Sequence, residues 1–185
     1  MNEEYLDILD EKGNKIGEKK LRSEVHRDGN WHLAAHVWIV NSKGELLVQK
    51  RSIDKDSSPG LWDISSACHV VSGEDATLAA IRETQEELGI SLSKNELKHM
   101  LSYKRQTSHD NDRFLNNGFF EFFLAKKDID IKDINFQKDE ISEVKYVPFQ
   151  ELEEKINASD RRYVEHPDEY KKLFEVLHKK FDKKL

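Results

Sequence analysis

The sequence predicts an α+β fold in which a mixed sheet packs around one strongly acidic helix. Short apolar or alternating segments, typical of strands, recur along most of the chain, whereas the run RETQEELGI at residues 82–90 has the spacing of a helix. Of the 185 residues, 37% are hydrophobic and 36% are charged, which allows one real core beneath a heavily ionised surface. We therefore expect a single domain spanning residues 1–185.

The first predicted element is an alternating strand at residues 5–9, which a turn at residues 11–15 converts into a hairpin. We assign residues 1–29 to this N-terminal hairpin extension, residues 30–150 to the core and residues 151–185 to a C-terminal helical segment. Further strands are predicted at residues 33–40, 45–51, 62–70, 100–105, 114–125 and 142–147, and further helices at residues 149–156 and 168–180. The strand at 33–40 (LAAHVWIV) is almost entirely apolar, so we expect it to be buried on both faces.

The acidic helix has recognisable ends. Residues 72–75 (SGED) offer small and acidic side chains that can cap free N–H groups, and Gly89 stands where a glycine ends a helix. At about 100° per residue, two glutamates fall within about 60° of a third, on one face of the helix. These three acids are Glu83, Glu86 and Glu87, and the opposite side, expected to face the core, carries Leu78, Ile81 and Leu88.

The three carboxylates are predicted to bind a divalent cation. Glu83 and Glu87 form an i,i+4 like-charge pair, which destabilises a bare helix by about 0.2–0.5 kcal/mol. Mg²⁺ or Mn²⁺, which favour carboxylate oxygens, would remove that repulsion. Arg82 precedes Glu86 by four residues, so its guanidinium can hold that carboxylate in one rotamer.

Residues 68–90 resemble the Nudix box, whose pattern is G, five residues, E, seven residues, R-E, an aliphatic residue, any residue, E-E, any residue, G and an aliphatic residue. The positions that match are Glu74, Arg82, Glu83, Glu86, Glu87, Gly89 and Ile90. The resemblance implies a Nudix-type α/β/α sandwich with a mixed central sheet, in which the acidic Nudix-box helix supplies metal ligands. It also implies that the backbone at Cys68, where the box has its first glycine, lies beside the metal.

Two positions depart from the box. Cys68 replaces the first glycine, and a side chain there would strain the loop by about 1–3 kcal/mol if the backbone needs a positive φ. We therefore expect Cys68 to weaken metal binding without abolishing it, and Cys68→Gly to strengthen it. Thr84 replaces an aliphatic residue, which is a mild change on a flank of the helix expected to be partly buried.

The resemblance implies a metal-dependent hydrolase that cleaves a diphosphate linkage with metal-activated water, using Mg²⁺ or Mn²⁺. The substrate would be a small molecule, either a nucleoside diphosphate linked to another moiety or an isoprenoid-type diphosphate. Glu83 is a candidate base, with Glu140 or Glu143 as the alternative. The predicted catalytic residues are Glu83, Glu86, Glu87, Arg82 and Glu140, and the predicted phosphate-binding residues are Arg51 and Lys55.

Segments outside the box resemble the Nudix branch that contains isopentenyl-diphosphate isomerase. They are WHLA at residues 31–34, PGLW at residues 59–62 and SACH at residues 66–69. This resemblance implies a second metal site for Zn²⁺ or Mn²⁺, formed by His26, His32 and His69.

Several residues of the isomerase are missing. Its cysteine is replaced by Ala67, and Cys68, one residue later, would point to the other face of a strand. Asn116 and Gly118 stand where the isomerase uses two glutamates. These differences favour the hydrolase over two alternatives. One is an isomerase in which Cys68 replaces the missing thiol, and the other is a non-catalytic sensor of a diphosphate ligand.

Composition limits the binding partners and the cellular location that we expect for this protein. The net charge of −6 argues against nucleic acid, and no apolar run approaches the length of a membrane span. A single cysteine excludes an internal disulfide and fits a cytoplasmic protein. The basic segment at residues 178–184 is interpreted as a solvated helix end, with contact in a homodimer as the alternative.

Overall fold

A computed structural model describes residues 4–55, 57–109 and 114–182, so the ends of the predicted 1–185 domain lie outside the described residues. The strands are β1 (Tyr5–Leu9), β2 (Lys15–Leu21), β3 (Trp31–Val40), β4 (Glu45–Arg51), β5 (Trp62–Asp63), β6 (Ser66–His69), β7 (Leu97–His109), β8 (Phe114–Lys126) and β9 (Ile141–Pro148). The helices are α1 (Arg22–Asp28), α2 (Ala76–Leu88), α3 (Phe149–Asn157) and α4 (Pro167–Phe181). In these ranges, no helix combines the length and the apolar content needed to span a membrane.

Strand β3 is the centre of the sheet. It pairs in parallel with β8 along its whole length, and antiparallel with β1, β4 and β6. The parallel pair makes the sheet mixed, as the sequence predicted. Strand β1 joins this sheet through the pair Leu9–Trp31, so the N-terminal hairpin continues the main sheet.

The two faces of β3 belong to two hydrophobic cores, because successive side chains point to opposite faces of a strand. Ala35, Val37 and Ile39 lie in the core that α2 covers. Trp38 and Val40 lie in the core that α3 and α4 cover. The predicted α/β/α sandwich and the burial of this strand on both faces are therefore confirmed.

Two strand predictions needed correction. Residues 62–70 form the two short strands β5 and β6, separated by the buried residues Ile64 and Ser65. Strand β7 runs from Leu97 to His109, well beyond the predicted residues 100–105. It is an edge strand paired only with β8, so polar residues are tolerated along it and the apolar signal is weak.

Helix α2 begins and ends where the sequence predicted. Asp75 accepts a hydrogen bond from the backbone N–H of Leu78 at 2.8 Å, and Gly89 ends the helix with a φ of 69°. The predicted buried face was partly wrong, because Leu78 is 42% exposed. The small residues Ala79 and Ala80 are buried instead, which lets the helix approach the sheet closely.

Thr84 lies on this buried face as well. It was predicted on a partly buried flank, but its side chain is completely buried. The hydroxyl donates a hydrogen bond to the carbonyl of Ala80 at 2.7 Å, so the polar atom is satisfied within the helix. A threonine therefore replaces the aliphatic residue without leaving an unpaired group.

A buried carboxylate ties α4 to the sheet. Glu169 is completely buried, and its two oxygens accept hydrogen bonds from His36 Nδ1 at 2.5 Å, Tyr103 Oη at 2.5 Å and Trp38 Nε1 at 2.9 Å. Burial alone would raise the pKa of Glu169, but His36 and the other donors lower that pKa to about 2. The carboxylate is thus ionised and fully paired, and it fixes one helix to two strands.

Glu169→Gln tests this contact. We expect the substitution to lower the free energy of unfolding by about 2–4 kcal/mol at neutral pH, because buried donors lose a charged acceptor. A carboxylate with a lowered pKa contributes its stability above its unfolded-state pKa and loses it as the pH falls through the folded-state value. The difference between E169Q and the wild type should therefore shrink from about pH 5 to about pH 3 in urea unfolding followed by circular dichroism.

The matched control is Glu175→Gln on the same helix, since Glu175 is exposed and pairs only with lysines. It should leave the unfolding midpoint almost unchanged. The role given to Glu169 would be contradicted if E169Q lowered the free energy of unfolding no more than E175Q does. It would also be contradicted if the loss in E169Q did not depend on pH.

Candidate active site

A cavity of about 710 Å³ opens beside α2 and continues past β6 to the other face of the sheet. Cys68 lines it from the α2 face of β6, and Ala67 lines it from the opposite face. Eight predicted site residues contribute to its wall: Arg51, Lys55, Cys68, His69, Glu83, Glu86, Glu87 and Glu140. The fold therefore gathers residues from several elements at one place.

The carboxylates of α2 face this cavity in different environments. Glu87 is only 8% exposed, and Ser66 Oγ donates a hydrogen bond to it at 3.0 Å. Burial, reinforced by the charge of Glu83, raises the pKa of Glu87 to about 8. Burial also raises the pKa of Glu83, whereas the side chain of Glu86 is 50% exposed. Without a cation, burial therefore favours the protonated form of Glu87 near pH 7.

Arg82 organises the acids from outside the cavity. Its guanidinium donates to Glu74 at 3.0 and 3.2 Å, to Glu83 at 2.6 Å and to Glu86 at 3.2 Å. The predicted contact with Glu86 is thus present. Arg82 does not line the cavity, so we assign it a positioning role and not a place among the residues that touch substrate.

The donor set fits a hard divalent cation. Glu83, Glu86 and Glu87 offer carboxylate oxygens to one side of the cavity, and burial is the main cause of the raised pKa values of Glu83 and Glu87. Oxygen ligands of this kind are those that Mg²⁺ and Mn²⁺ prefer.

The strain expected at Cys68 is absent. Cys68 lies in a regular strand opposite Ala35, and the only described non-glycine residues with a positive φ are Ser58 and Ser159. The backbone therefore does not need a glycine, and the reason for expecting Cys68→Gly to improve metal binding is removed. Burial, with Glu83 and Glu87 close by, raises the pKa of the Cys68 thiol, which stays protonated.

The candidate base on the opposite wall is already in an ion pair. Glu140 pairs with Lys55, so these two predicted residues meet each other across the cavity rim. Arg51 donates to Asp63 at 3.2 Å and to the carbonyl of Ser57 at 2.9 Å. Glu143, the other alternative base, is exposed on β9 and does not line the cavity.

The three predicted histidines converge near the inner end of the cavity. His26 Nε2 lies 3.0 Å from His69 Nε2, and the ring centroids of His32 lie 5.0 and 5.1 Å from those of His26 and His69. Burial lowers the pKa values of His32 and His69, so both rings are neutral near pH 7. The Nε2 atom of His32 is buried without a hydrogen-bond partner among the described residues.

The far wall of the cavity was missed from the sequence. His166 donates to Asp63 at 2.7 Å, and Tyr103 and Arg105 of β7 line the same wall. Burial would raise the pKa of Asp63, but the charge of His166 lowers it, and Asp63 in turn raises the pKa of His166. These residues come from distant parts of the chain, so no local sequence pattern points to them.

The fold and this site define a class of protein, namely an α/β/α domain whose arginine-braced acidic helix opens onto a deep cavity. The model of the NUDIX domain family matches residues 30–166. The chain belongs to the Nudix family, as the box indicated. Among solved structures, DR0079 from Deinococcus radiodurans has this fold, with a TM-score of 0.68, 22% identity, and coverage of 95% of this chain and 98% of that one.

Named relatives agree with this placement. Nudix hydrolase 3 of Arabidopsis thaliana is 42% identical over 182 residues, which are 96% of this chain but only 24% of that longer protein. The uncharacterized Nudix hydrolase lmo0368 of Listeria monocytogenes is 36% identical over 150 residues, covering 81% of this chain and 83% of its own. An isopentenyl-diphosphate Delta-isomerase of Citrobacter koseri is 37% identical over 93 residues, half of this chain, which confirms the likeness to that branch.

Proposed function

We propose that the protein is a metal-dependent hydrolase that cleaves the diphosphate linkage of a small molecule by attack of water on phosphorus. Glu83, Glu86, Glu87 and the backbone at Cys68 would hold Mg²⁺ or Mn²⁺. The observation that carries this proposal is the burial of Glu87 against Glu83, because a divalent cation compensates both charges at once. The chemistry that such a cation supplies is neutralisation of the diphosphate and activation of water.

The chain's own residues supply the proton acceptor. Glu83 is the proposed base, since its raised pKa favours accepting the proton of the attacking water while Arg82 holds its orientation. Glu140 would first have to leave Lys55 before it could act. The new P–O bond forms to the water oxygen, the bridging P–O bond breaks, and the leaving phosphate departs with the bridging oxygen.

Arg51 and Lys55 would orient the diphosphate. Both side chains are partly buried in the cavity wall, on the side that faces α2. Arg51 keeps Asp63 as its counter-ion and still has guanidinium N–H groups available, which suit two phosphate oxygens at once.

The same site argues against the isomerase. Ala67 lines the cavity where the isomerase resemblance requires a thiol, and Cys68 faces the α2 side with a raised pKa. A Cβ atom at Gly118 would lie 2.6 Å from the ring of Phe120, so a glutamate could not replace Gly118 without moving that ring.

Glu86→Gln and Glu87→Gln test the hydrolase. With Mg²⁺ and a panel of nucleoside and isoprenoid diphosphates, we expect each variant to lose about 100-fold or more in kcat, since each loses a charged cation ligand. Glu96→Gln is the matched control, because Glu96 is half-buried and pairs with Lys127 away from the cavity. Released phosphate products, separated by ion-exchange chromatography, are the measurement.

The alternatives give different results in the same assay. Conversion of isopentenyl to dimethylallyl diphosphate with no phosphate release would establish the isomerase. Binding without any product would establish the sensor. Full activity of E86Q and E87Q would disprove the assigned cation ligands.

We also propose that His26, His32 and His69 bind a second metal, Zn²⁺ or Mn²⁺. The supporting observation is the unpartnered, buried Nε2 of His32 beside ring nitrogens of His26 and His69, all within 4.8 Å of one another. Neutral imidazole is the form that coordinates metals, and burial stabilises that form in His32 and His69.

His32→Gln should remove one bound Zn²⁺ per chain in equilibrium dialysis, because it deletes one of three ligands. His99→Gln is the control, since His99 lies on the surface and contacts Ser102 and Glu121. E86Q should keep this ion, which separates the histidine site from the acids of α2. Equal Zn²⁺ content in H32Q and the wild type would show that the histidines bind no metal.

A further inference from the structure

The cavity is larger than a diphosphate requires. Its volume of about 710 Å³ lies in the range of sites that enclose a whole organic ligand. One end is formed by the acids of α2, and the other by Tyr103 and Arg105 of β7 together with His166 at the start of α4. The far end is therefore available for the group attached to the diphosphate.

Two acidic groups at the far end, Asp63 and Glu169, are already neutralised by the protein, whereas the exposed Glu165 also lines this end. Glu169 lies beneath the wall and is occupied by His36, Tyr103 and Trp38. Asp63 is occupied by Arg51 and His166. Neither carboxylate is free to pair with a further cation.

Arg105 is paired with neither Asp63 nor Glu169. Its guanidinium makes one hydrogen bond, from Nη1 to the backbone carbonyl of Glu165 at 2.8 Å, and among the described residues it has no ion pair. Arg161, a second arginine of the cavity wall, has none either, whereas the neighbouring Arg162 is held by Asp160. Two guanidinium groups thus line this end of the cavity, and neither forms an ion pair within the described part of the chain.

The position of Arg105 keeps it accessible. Arg105 lies opposite Gly118 in the β7–β8 pair, beside the ring of Phe120, and it lines the cavity while being only partly buried. Its partial burial limits the water that can solvate the charge, and the planar fork of N–H groups matches a phosphate or a carboxylate.

From these contacts we infer that Arg105, assisted by Arg161, binds a second anionic group at the end of the substrate away from the diphosphate. This inference rests on the proposed function and narrows its substrate class. The substrate is a diphosphate conjugate whose attached group carries a further phosphate monoester or carboxylate. An isoprenoid chain would instead leave two guanidinium groups facing hydrocarbon, which is unfavourable.

Two pairs of compounds differ only in such a group and serve as probes. ADP-ribose 2′-phosphate and ADP-ribose test a phosphate, and UDP-glucuronate and UDP-glucose test a carboxylate. Binding is measured by calorimetry with Ca²⁺, which separates recognition from turnover. For at least one pair, the wild type should bind the more anionic member about tenfold more tightly.

Substitutions in β7 test whether Arg105 causes the preference for the more anionic compound. Arg105→Gln should bind both members of the pair equally, with the affinity for the less anionic member unchanged. Arg105→Lys should restore part of the preference. Lys104→Gln is the matched control, because it removes the same charge from the adjacent residue of the strand. The Lys104 side chain contacts the backbone carbonyl of Glu11 and the ring of Trp31 on the other face. It should behave as the wild type.

Three results would overturn the inference: equal affinities within both pairs in the wild type, a preference that survives in R105Q, or no binding of any of the four compounds. Turnover of the same compounds with Mg²⁺ is scored separately. Binding with the expected preference but no hydrolysis would count against the proposed function and leave the role of Arg105 standing.

Discussion

The site depends on one electrostatic constraint, which is that α2 holds two carboxylates together where water cannot fully solvate them. Glu87 accepts a hydrogen bond from Ser66 of β6, and Glu83 lies one turn away on the same helix. Arg82 restrains Glu83 and Glu86 but does not reach Glu87, so among the described residues the deepest acid has no basic hydrogen-bond partner. A divalent cation is the simplest partner that relieves this arrangement, and it also suits a diphosphate.

Strand β3 connects this helix to the rest of the cavity. One face of β3 packs under α2, and the other carries His32, His36 and Trp38 in succession. His32 belongs to the histidine cluster, whereas His36 and Trp38 hold Glu169 of α4. His36 and Trp38 thus fix α4 to the sheet, and that rigidity positions the wall residues of the cavity.

The sequence was informative where chemistry is local. The ends of α2, the contact between Arg82 and Glu86 and the mixed sheet followed from spacing and apolar pattern. Leu78 shows the limit of the helical wheel, because the small residues Ala79 and Ala80 decide which side approaches the sheet. Asp63, Arg105 and His166 could not be predicted, since they meet only after three distant elements fold together.

Anomalous diffraction from crystals soaked in Mn²⁺ tests the central claim most directly. We expect a manganese peak within about 2.5 Å of a carboxylate oxygen of Glu86 or Glu87, the distance of a direct oxygen ligand. A cavity with no such peak, in which Glu83 and Glu86 stay on Arg82 and Glu87 stays on Ser66, would contradict it.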